Sequence, residues 1–559
     1  MQVIRLSWAH NMMRVLRLDP EDNVLVALTD LAQGEKITDG TSVCTLRNAV
    51  PAKHKFALQQ LAPGDAILMY GVLVGRATQA IAAGELLTTS NVRHDAAGFH
   101  ESSAQYRWTA PDVERWRKKT FLGYRRPDGQ FGTRNYWLVV PLVFCENRNV
   151  AVLRQAFHEG LGFAAPQPYR KQVSELARLY REGRRSEMEH YRAAEPRTEV
   201  RQSDLFPNLD GIKFLLHEQG CGRTPEDIVN LCGLLAGYIH HPNVAGATVL
   251  SLGCQGSQVE ILREQIAARE PQFHKPLLIF DQQRSGREFA MLSEAVRATF
   301  LGLVEANDCT REPAPLSQLC FALKCGGSDG FSGISANPAL GRASDLLVAL
   351  GGRTILAEFP ELVGVEQSLI ERCRDGRAAE RFVSLMRDYA ERARSARASL
   401  DMNPSPGNIR DGLLTDAMKS AGAAKKGGTS PINAVLDYPE YALSPGLNLL
   451  CTPGSDVEAV TAQVGAGATL VLFTTGLGTP TGNPIAPVLK ISTNSPLAQR
   501  MGDIIDLDAG PIVIGEKTIE QMGEEILELS RRVANGEVRT KAEVRGQDDF
   551  IPWKRGVSL

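Results

Sequence analysis

Three groups capable of chemistry stand close together in the stretch LKCGGSDGFSG, Leu323–Gly333: the Cys325 thiol, the Ser328 hydroxyl and the Asp329 carboxylate. Two glycines separate the thiol from the other two groups. Glycine packs nothing in a strand, but it lets the backbone approach a ligand closely. The stretch therefore reads either as a tight turn with a buried thiol or as a loop that presents Cys325, Ser328 and Asp329 to a bound molecule. Two further loops share its layout, HEQGCGR with Cys221 and LGCQGS with Cys254. A single free cysteine is ordinarily a small hydrophobe. Three at equivalent strand ends are brought together by a parallel sheet. Three thiolates hold iron, alone or in a cluster with one open iron site. Packing and turn residues around a substrate pocket are the other reading.

The run TTGLGTPTGN, Thr474–Asn483, follows the apolar segment TLVLF. Glycine-rich turns with threonine hydroxyls and free N–H groups cradle an anion. The run has no Lys-Ser/Thr ending and is not a GxGxxG, so a carboxylate or polyol suits it better than a nucleotide. Thr474, Thr475 and Gly476 are its candidate binding residues, joined by Lys490 and Asn494 of VLKISTN. In PAKHKF, Lys53, His54 and Lys55 are adjacent, and TTSNVRH adds Asn91, Arg93 and His94. These form either an acid/base and carboxylate-binding edge or a solvated rim. Glu358 directly follows the strand-like TILA and is a helix-dipole partner, a ligand or a base. Arg134 and Asn135 immediately precede the buried-looking YWLVVPLVF.

The elements that must position these residues fall into three units. Residues 1–97 read as a small all-β domain, with β-branched runs between Gly-acid turns in LAQGEKI, LAPGDAI and IAAGELL. Residues 98–122 read as a linker. Residues 123–402 and 403–559 read as central and C-terminal α/β domains, built from repeated strand–polar loop–helix units around a parallel sheet. NPSPGN at 403–408 and AAKKGGTSP at 423–431 read as soft connections.

Net charge is -2, with 43% hydrophobic and 23% charged residues, which describes a soluble globular protein and argues against nucleic-acid or anionic-membrane binding. No apolar run is long enough to span a bilayer, and the first residues lack a secretory h-region. Ten cysteines without a CxxC fit a reducing cytoplasm.

The stretches PAKHKFAL, GYRRPDGQFGTRNYWLVVPLVFCENRN, HEQGCG, KCGGSDGFSGISANPALGRASDLLV, AEFPELVG and LLCTPGSDVEAVTAQVGAGATLVLFTTGLGTPTG, in this order, resemble the altronate/galactarate dehydratases, the altronate branch most closely, over residues 14 to 515. The resemblance implies a first domain of the SAF, or β-clip, type. It implies a metal-dependent lyase that dehydrates a sugar acid to a 2-keto-3-deoxy acid. On that basis His54, Lys55, Asp329 and Glu358 are expected in catalysis. Arg93, Asn91, Arg134, Asn135, Ser328, Thr474, Thr475, Gly476, Lys490 and Asn494 are expected on the substrate. Cys221, Cys254, Cys325 and His94 are expected on a divalent metal, Fe2+ first and Mn2+ second, with an iron–sulfur cluster still open. In the family's His-x-His-Asn pattern the two histidines are replaced here by Thr88 and Ser90 while Asn91 is kept, which bears on metal and substrate alike. Galactarate or another aldarate, a sulfolactate-type loss of sulfite, and a non-catalytic sugar-acid binding protein are the alternatives. A small-molecule substrate is the expected partner, and a homo-oligomer is compatible with a chain of this size.

Overall fold

The computed structural model describes residues 14–40, 42–100, 106–163, 168–193 and 205–557. The N-terminal unit is built from short antiparallel strands. Val15–Leu16, Val24–Ala27 and Lys55–Ala57 form one sheet, Lys36–Asp39 and Ser42–Thr45 a hairpin, and Ala66–Met69, Val72–Ala77 and Val92–Arg93 another sheet. The recurring Gly-acid turns are one device used three times. Gly34, Gly64 and Gly84 have φ of 81°, 91° and 78°, a region open to glycine. The acid after each accepts a bond from an N–H three residues earlier: Ala32 to Glu35, Ala62 to Asp65 and Ala82 to Glu85.

Two parallel sheets make the body. The smaller runs Gly211–Phe214, Tyr136–Pro141, Val244–Ser251, Leu277–Asp281. The larger has seven strands in the order Ile432–Leu436, Gly446–Leu450, Arg353–Leu356, Cys320–Cys325, Leu470–Thr475, Val488–Ser492, Leu507–Asp508. Runs such as YWLVVP and CFALKC are buried at every position, as strands covered on both faces must be. Strands from both sides of residue 403 lie in this one sheet, so the expected boundary between 402 and 403 runs through it. Among the described residues no helix is long and apolar enough to cross a membrane.

Two segments differ from expectation. Of the expected linker 98–122, Val113 and Trp116 are buried in the main core and Thr120–Arg125 pairs with Arg311–Pro315. Its aromatic residues bury one at a time, without the periodicity that marks a regular element. The stretch 423–431 is no soft join: helix Asp416–Ala424 and the turn Lys425–Gly427 are largely buried. Its small residues serve close packing, since a Cβ on Gly422 would stand 3.0 Å from the Gly333 Cα.

The N-terminal unit is pressed onto the body. Val24, Val26, Val74 and Val92 share a core with Phe331, Ile334, Leu413 and Met418. This brings Lys53, His54 and Lys55 to the loops that end the strands of the large sheet.

Candidate active site

The central strand Cys320–Cys325 delivers the glycine-rich loop to the C-terminal edge of the large sheet, where open α/β sheets hold their ligands. Lys324 and Glu358 end adjacent parallel strands and are both fully buried. Glu358 accepts from Lys324 and, at 2.8 Å, from Lys426. Lys426 also donates to the Cys325 sulfur at 2.8 Å, and the thiol faces Glu361 at 3.6 Å. Lys419 donates to Glu361 at 2.8 Å, and Lys324 pairs with Asp456 at 2.8 Å. Three lysines and two glutamates thus interlock around one thiol. Glu358 has φ 69° and ψ 58°, a left-handed backbone that is costly for a side chain of this kind and is found preferentially at functional sites.

Charge pairing decides the protonation here. Burial pulls the three lysines down, but the carboxylates around them outweigh it and hold all three ammoniums above their ordinary range. Burial pushes Glu361 up, and Lys419, Lys324 and Lys426 bring it down to about 2. Burial raises the Cys325 thiol to about 11 against the pull of Lys426, so it stays protonated. Asp416, at the start of its helix, has both carboxyl oxygens buried without a hydrogen-bond partner. Burial, then the neighbouring Glu361, raise it to about 9, so it is a neutral acid at pH 7.

Past the glycines the same loop forms a second buried polar cluster. Asp329 is fully buried and accepts from Thr493 at 2.9 Å, Asn494 at 3.1 Å and Ser332 at 3.1 Å. Lys53 reaches in from the N-terminal unit to Asp329 at 3.1 Å and to Asp411 at 2.8 Å. Gly476 must be glycine, because a Cβ would lie 2.2 Å from the Asp329 Cγ. Lys55 donates to the carbonyls of Lys53 and Gly412. Burial lowers Lys55, Asp329 pulls it back and Lys53 pushes it down again, leaving it at about 7. The His54 Nδ1 lies 3.1 Å from the Ala52 carbonyl; that contact requires the proton on Nδ1 and makes Nε2 the basic nitrogen.

Two groups of described residues have three donor atoms within 4.8 Å of one another, Cys325–Glu358–Glu361 and Asp128–His240–Glu270. A sulfur with two carboxylates is a donor set that ferrous or manganous ions accept. In the first group, however, lysines bond to each of the three donors. A dication there would join three buried ammoniums, so the group does not fit a divalent ion while those lysines keep their protons. The second group precedes its strands, at the sheet edge opposite the loops described above.

The expected residues divide as follows. Cys325, Ser328, Asp329, Glu358, Thr475, Gly476, Asn494 and Lys55 gather in the two clusters, Ser328 through its carbonyl to Asn408 and Thr475 beside Gly327, while the His54 backbone adjoins Gly412. Thr474 is turned to Asn337 at 2.6 Å, and Lys490 bonds to the Thr481 carbonyl. Arg134 lies elsewhere, paired with Glu543 at 2.7 Å, and Asn135 holds Asp210 and Ala306. Both are used up in fastening the C-terminal segment and the small sheet. Asn91 closes its own turn through Leu86, Arg93 is exposed, and His94 faces the Ala417 N–H. Thr88 and Ser90 bond to each other at 2.7 Å. Cys221 and Cys254 end strands of the small sheet, whereas Cys325 ends a strand of the large one, so a parallel sheet does not unite these three.

Lys324, Lys419, Lys426 and Asp416 were not singled out from the sequence. The signal for Lys324 was present, a lysine inside the apolar run CFALKC. Lys426 and Lys419 sat in a stretch whose alanines and glycines imitate a flexible join.

The parallel α/β body buries lysines, carboxylates and a neutral acid at its strand ends, and the β-domain brings two lysines to the same edge. Residues 13–95 match the altronate/galactarate dehydratase SAF domain, residues 123–307 the D-galactarate dehydratase/altronate hydrolase second domain, and residues 316–558 the D-galactarate/altronate dehydratase C-terminal domain. An altronate dehydratase of Escherichia coli strain K12 is 35% identical over 98% of this chain and 100% of its own. One of Bacillus subtilis strain 168 is 32% identical over 97% and 99%. A galactarate dehydratase (L-threo-forming) of Escherichia coli strain K12 is 30% identical over 95% and 94%. The chain belongs to the altronate/galactarate dehydratase family.

Proposed function

We propose that the protein is a hydro-lyase that removes water from an altronate-like aldonate to give a 2-keto-3-deoxy acid. The observation that carries this reading is the buried lysine cluster, Lys324, Lys419 and Lys426, at the strand ends. Removing the C2 proton of an aldonate places charge on its carboxylate. Fixed cations in a dry site stabilise that charge without having to reorganise. His54 Nε2 takes the proton. The C3 hydroxyl leaves as water with a proton from a neutral acid, the role that Asp416 suits. The enol left behind becomes the ketone. Lys53 and Lys55, with Asp329 and Asn494, hold the substrate hydroxyls.

A metal belongs to this reading, Fe2+ before Mn2+, at donors other than the lysine-bound triad. So does a reducing, cytoplasmic setting, in keeping with ten cysteines that are all free of disulfides. The partner is a small sugar acid; neither nucleic acid nor membrane enters, and a homo-oligomer remains part of the proposal. Thr88 and Ser90, standing in for the family histidines, keep galactarate and other aldarates as a second substrate class.

The test is turnover of a panel of aldonates, aldarates and sulfolactate by anaerobically purified protein, with metal-free, ferrous and manganous samples side by side. Product from altronate supports the reading. Product from an aldarate alone moves the substrate class, and no product from any sugar acid overturns it.

A further inference from the structure

We propose that Cys145, Cys221 and Cys254 form a three-thiol site that binds a four-iron iron–sulfur cluster, with one iron left free of protein ligands. This goes beyond the dehydration reading and stands without it.

The three cysteines follow the three neighbouring strands Tyr136–Pro141, Gly211–Phe214 and Val244–Ser251 of the small parallel sheet, all at its C-terminal edge. The loops that carry them are knitted together. The Phe144 N–H bonds to the Gln219 carbonyl at 3.0 Å. The Ser257 hydroxyl donates to the carbonyls of Leu142 and Gly220, at 2.5 and 3.0 Å. A Cβ on Gly256 would lie 2.9 Å from the Cys221 carbonyl, and one on Gly220 would lie 2.1 Å from that of Leu142. The backbones on either side of the three thiols are therefore in contact.

All three thiols are exposed and free, whereas Cys44, Cys232, Cys320, Cys325, Cys373 and Cys451 are buried. A cysteine kept only for packing sits inside. Helices Asn147–Leu161, Pro225–His240 and Val259–Arg269 begin shortly after Cys145, Cys221 and Cys254. Three helix starts thus lie at this edge of the sheet, where their positive ends favour an anionic group.

The spacing selects the ligand. A single tetrahedral ion with bonds of about 2.3 Å draws its sulfurs to about 3.8 Å apart. The three sulfurs here do not all lie within 4.8 Å of one another. A cube of iron and sulfide spans a wider opening and needs only three cysteines if its fourth iron is left for another ligand. Its parts are two ferrous ions, two ferric ions and four sulfides, supplied as such, so assembly needs no oxidant and the site is asked for no electron transfer.

The experiment loads the full chain anaerobically with equal ferrous and ferric iron and with sulfide, then measures bound iron, acid-labile sulfide, visible absorbance and the electron paramagnetic resonance spectrum after reduction. About four irons and about four sulfides per chain are expected. Cys145→Ser, Cys221→Ser and Cys254→Ser each lose most of the bound sulfide and the colour, while Cys309→Ser keeps both. Mass-spectrometric alkylation gives a second readout on the unmutated chain, in which loading protects these three thiols and not Cys309. Iron without labile sulfide, or colour that survives all three substitutions, overturns the proposal. Failure of the sugar-acid panel leaves this assay untouched, so the two readings fail separately.

Discussion

Asp416 carries the clearest pH signature at the scale of single residues. Its folded value of about 9 lies far above the ordinary aspartate value of 3.8. Between those values the unfolded chain gives up the proton that the native chain keeps. Stability is therefore fully present below about pH 4 and declines as pH rises towards 9. Asp416→Asn removes that slope: its Tm exceeds that of the parent at pH 8 and matches it at pH 4. Turnover by the same variant falls about 100-fold or more, the usual weight of a proton donor. A variant that unfolds in parallel with the parent at all pH values refutes the neutral-acid assignment. Lys426→Met does the reverse. It leaves Glu358 with one lysine fewer in a buried place and costs about 3 kcal/mol in chemical denaturation.

These two residues also mark where the sequence stops being readable. Cys325, Asp329 and Glu358 were visible because thiols and carboxylates at glycine-rich strand ends are unusual in themselves. Lys426 and Asp416 acquire meaning from burial, and burial depends on how a helix of small residues packs beneath the loop. No local pattern records that. Cys145 was visible in the printed sequence too, in VFCENRN, but its kinship with Cys221 and Cys254 depends on strand order, which the chain order conceals.

For elements, the glycine-rich loop is defined by what surrounds it. A Cβ on Gly326 would meet the Asp456 carboxylate at 2.5 Å, and one on Gly476 would meet Asp329. Gly326→Ala and Gly476→Ala are expected to lower Tm by several degrees and to abolish turnover, since each pushes on a carboxylate that a lysine or asparagine holds. Gly376→Ala is the control: it opens the helix Gly376–Ser395 with nothing within 4 Å of the new Cβ, and its Tm stays level or rises. The segment 403–408, whose prolines and glycine suggest slack, proves equally tied: Asn403 faces Glu361 and Asn408 holds the Ser328 carbonyl, and just beyond it Asp411 holds Lys53. Turn chemistry announced a break in regular structure, and the break lines the site.

Across the whole molecule, the alternation of strand and helix made the α/β body legible, and the Gly-acid turns made the small β-domain legible. The docking of one on the other was not, because it rests on scattered apolar residues such as Phe331 and Leu413. Residues 1–97 and 98–559, co-expressed as two chains, are expected to copurify and to turn over substrate, while the larger piece alone shows no measurable turnover and exposes apolar surface to a dye. Activity from the larger piece alone would remove Lys53, His54 and Lys55 from the chemistry.

The bond between Lys53 and Asp411 joins residues 358 positions apart in the chain. Contacts of such long sequence separation are slow to find, because the loop must close before anything rewards it. A denatured chain returned to native buffer should therefore recover its helical circular dichroism first and its turnover last. In the interval it is a folded body still waiting for its first hundred residues to arrive.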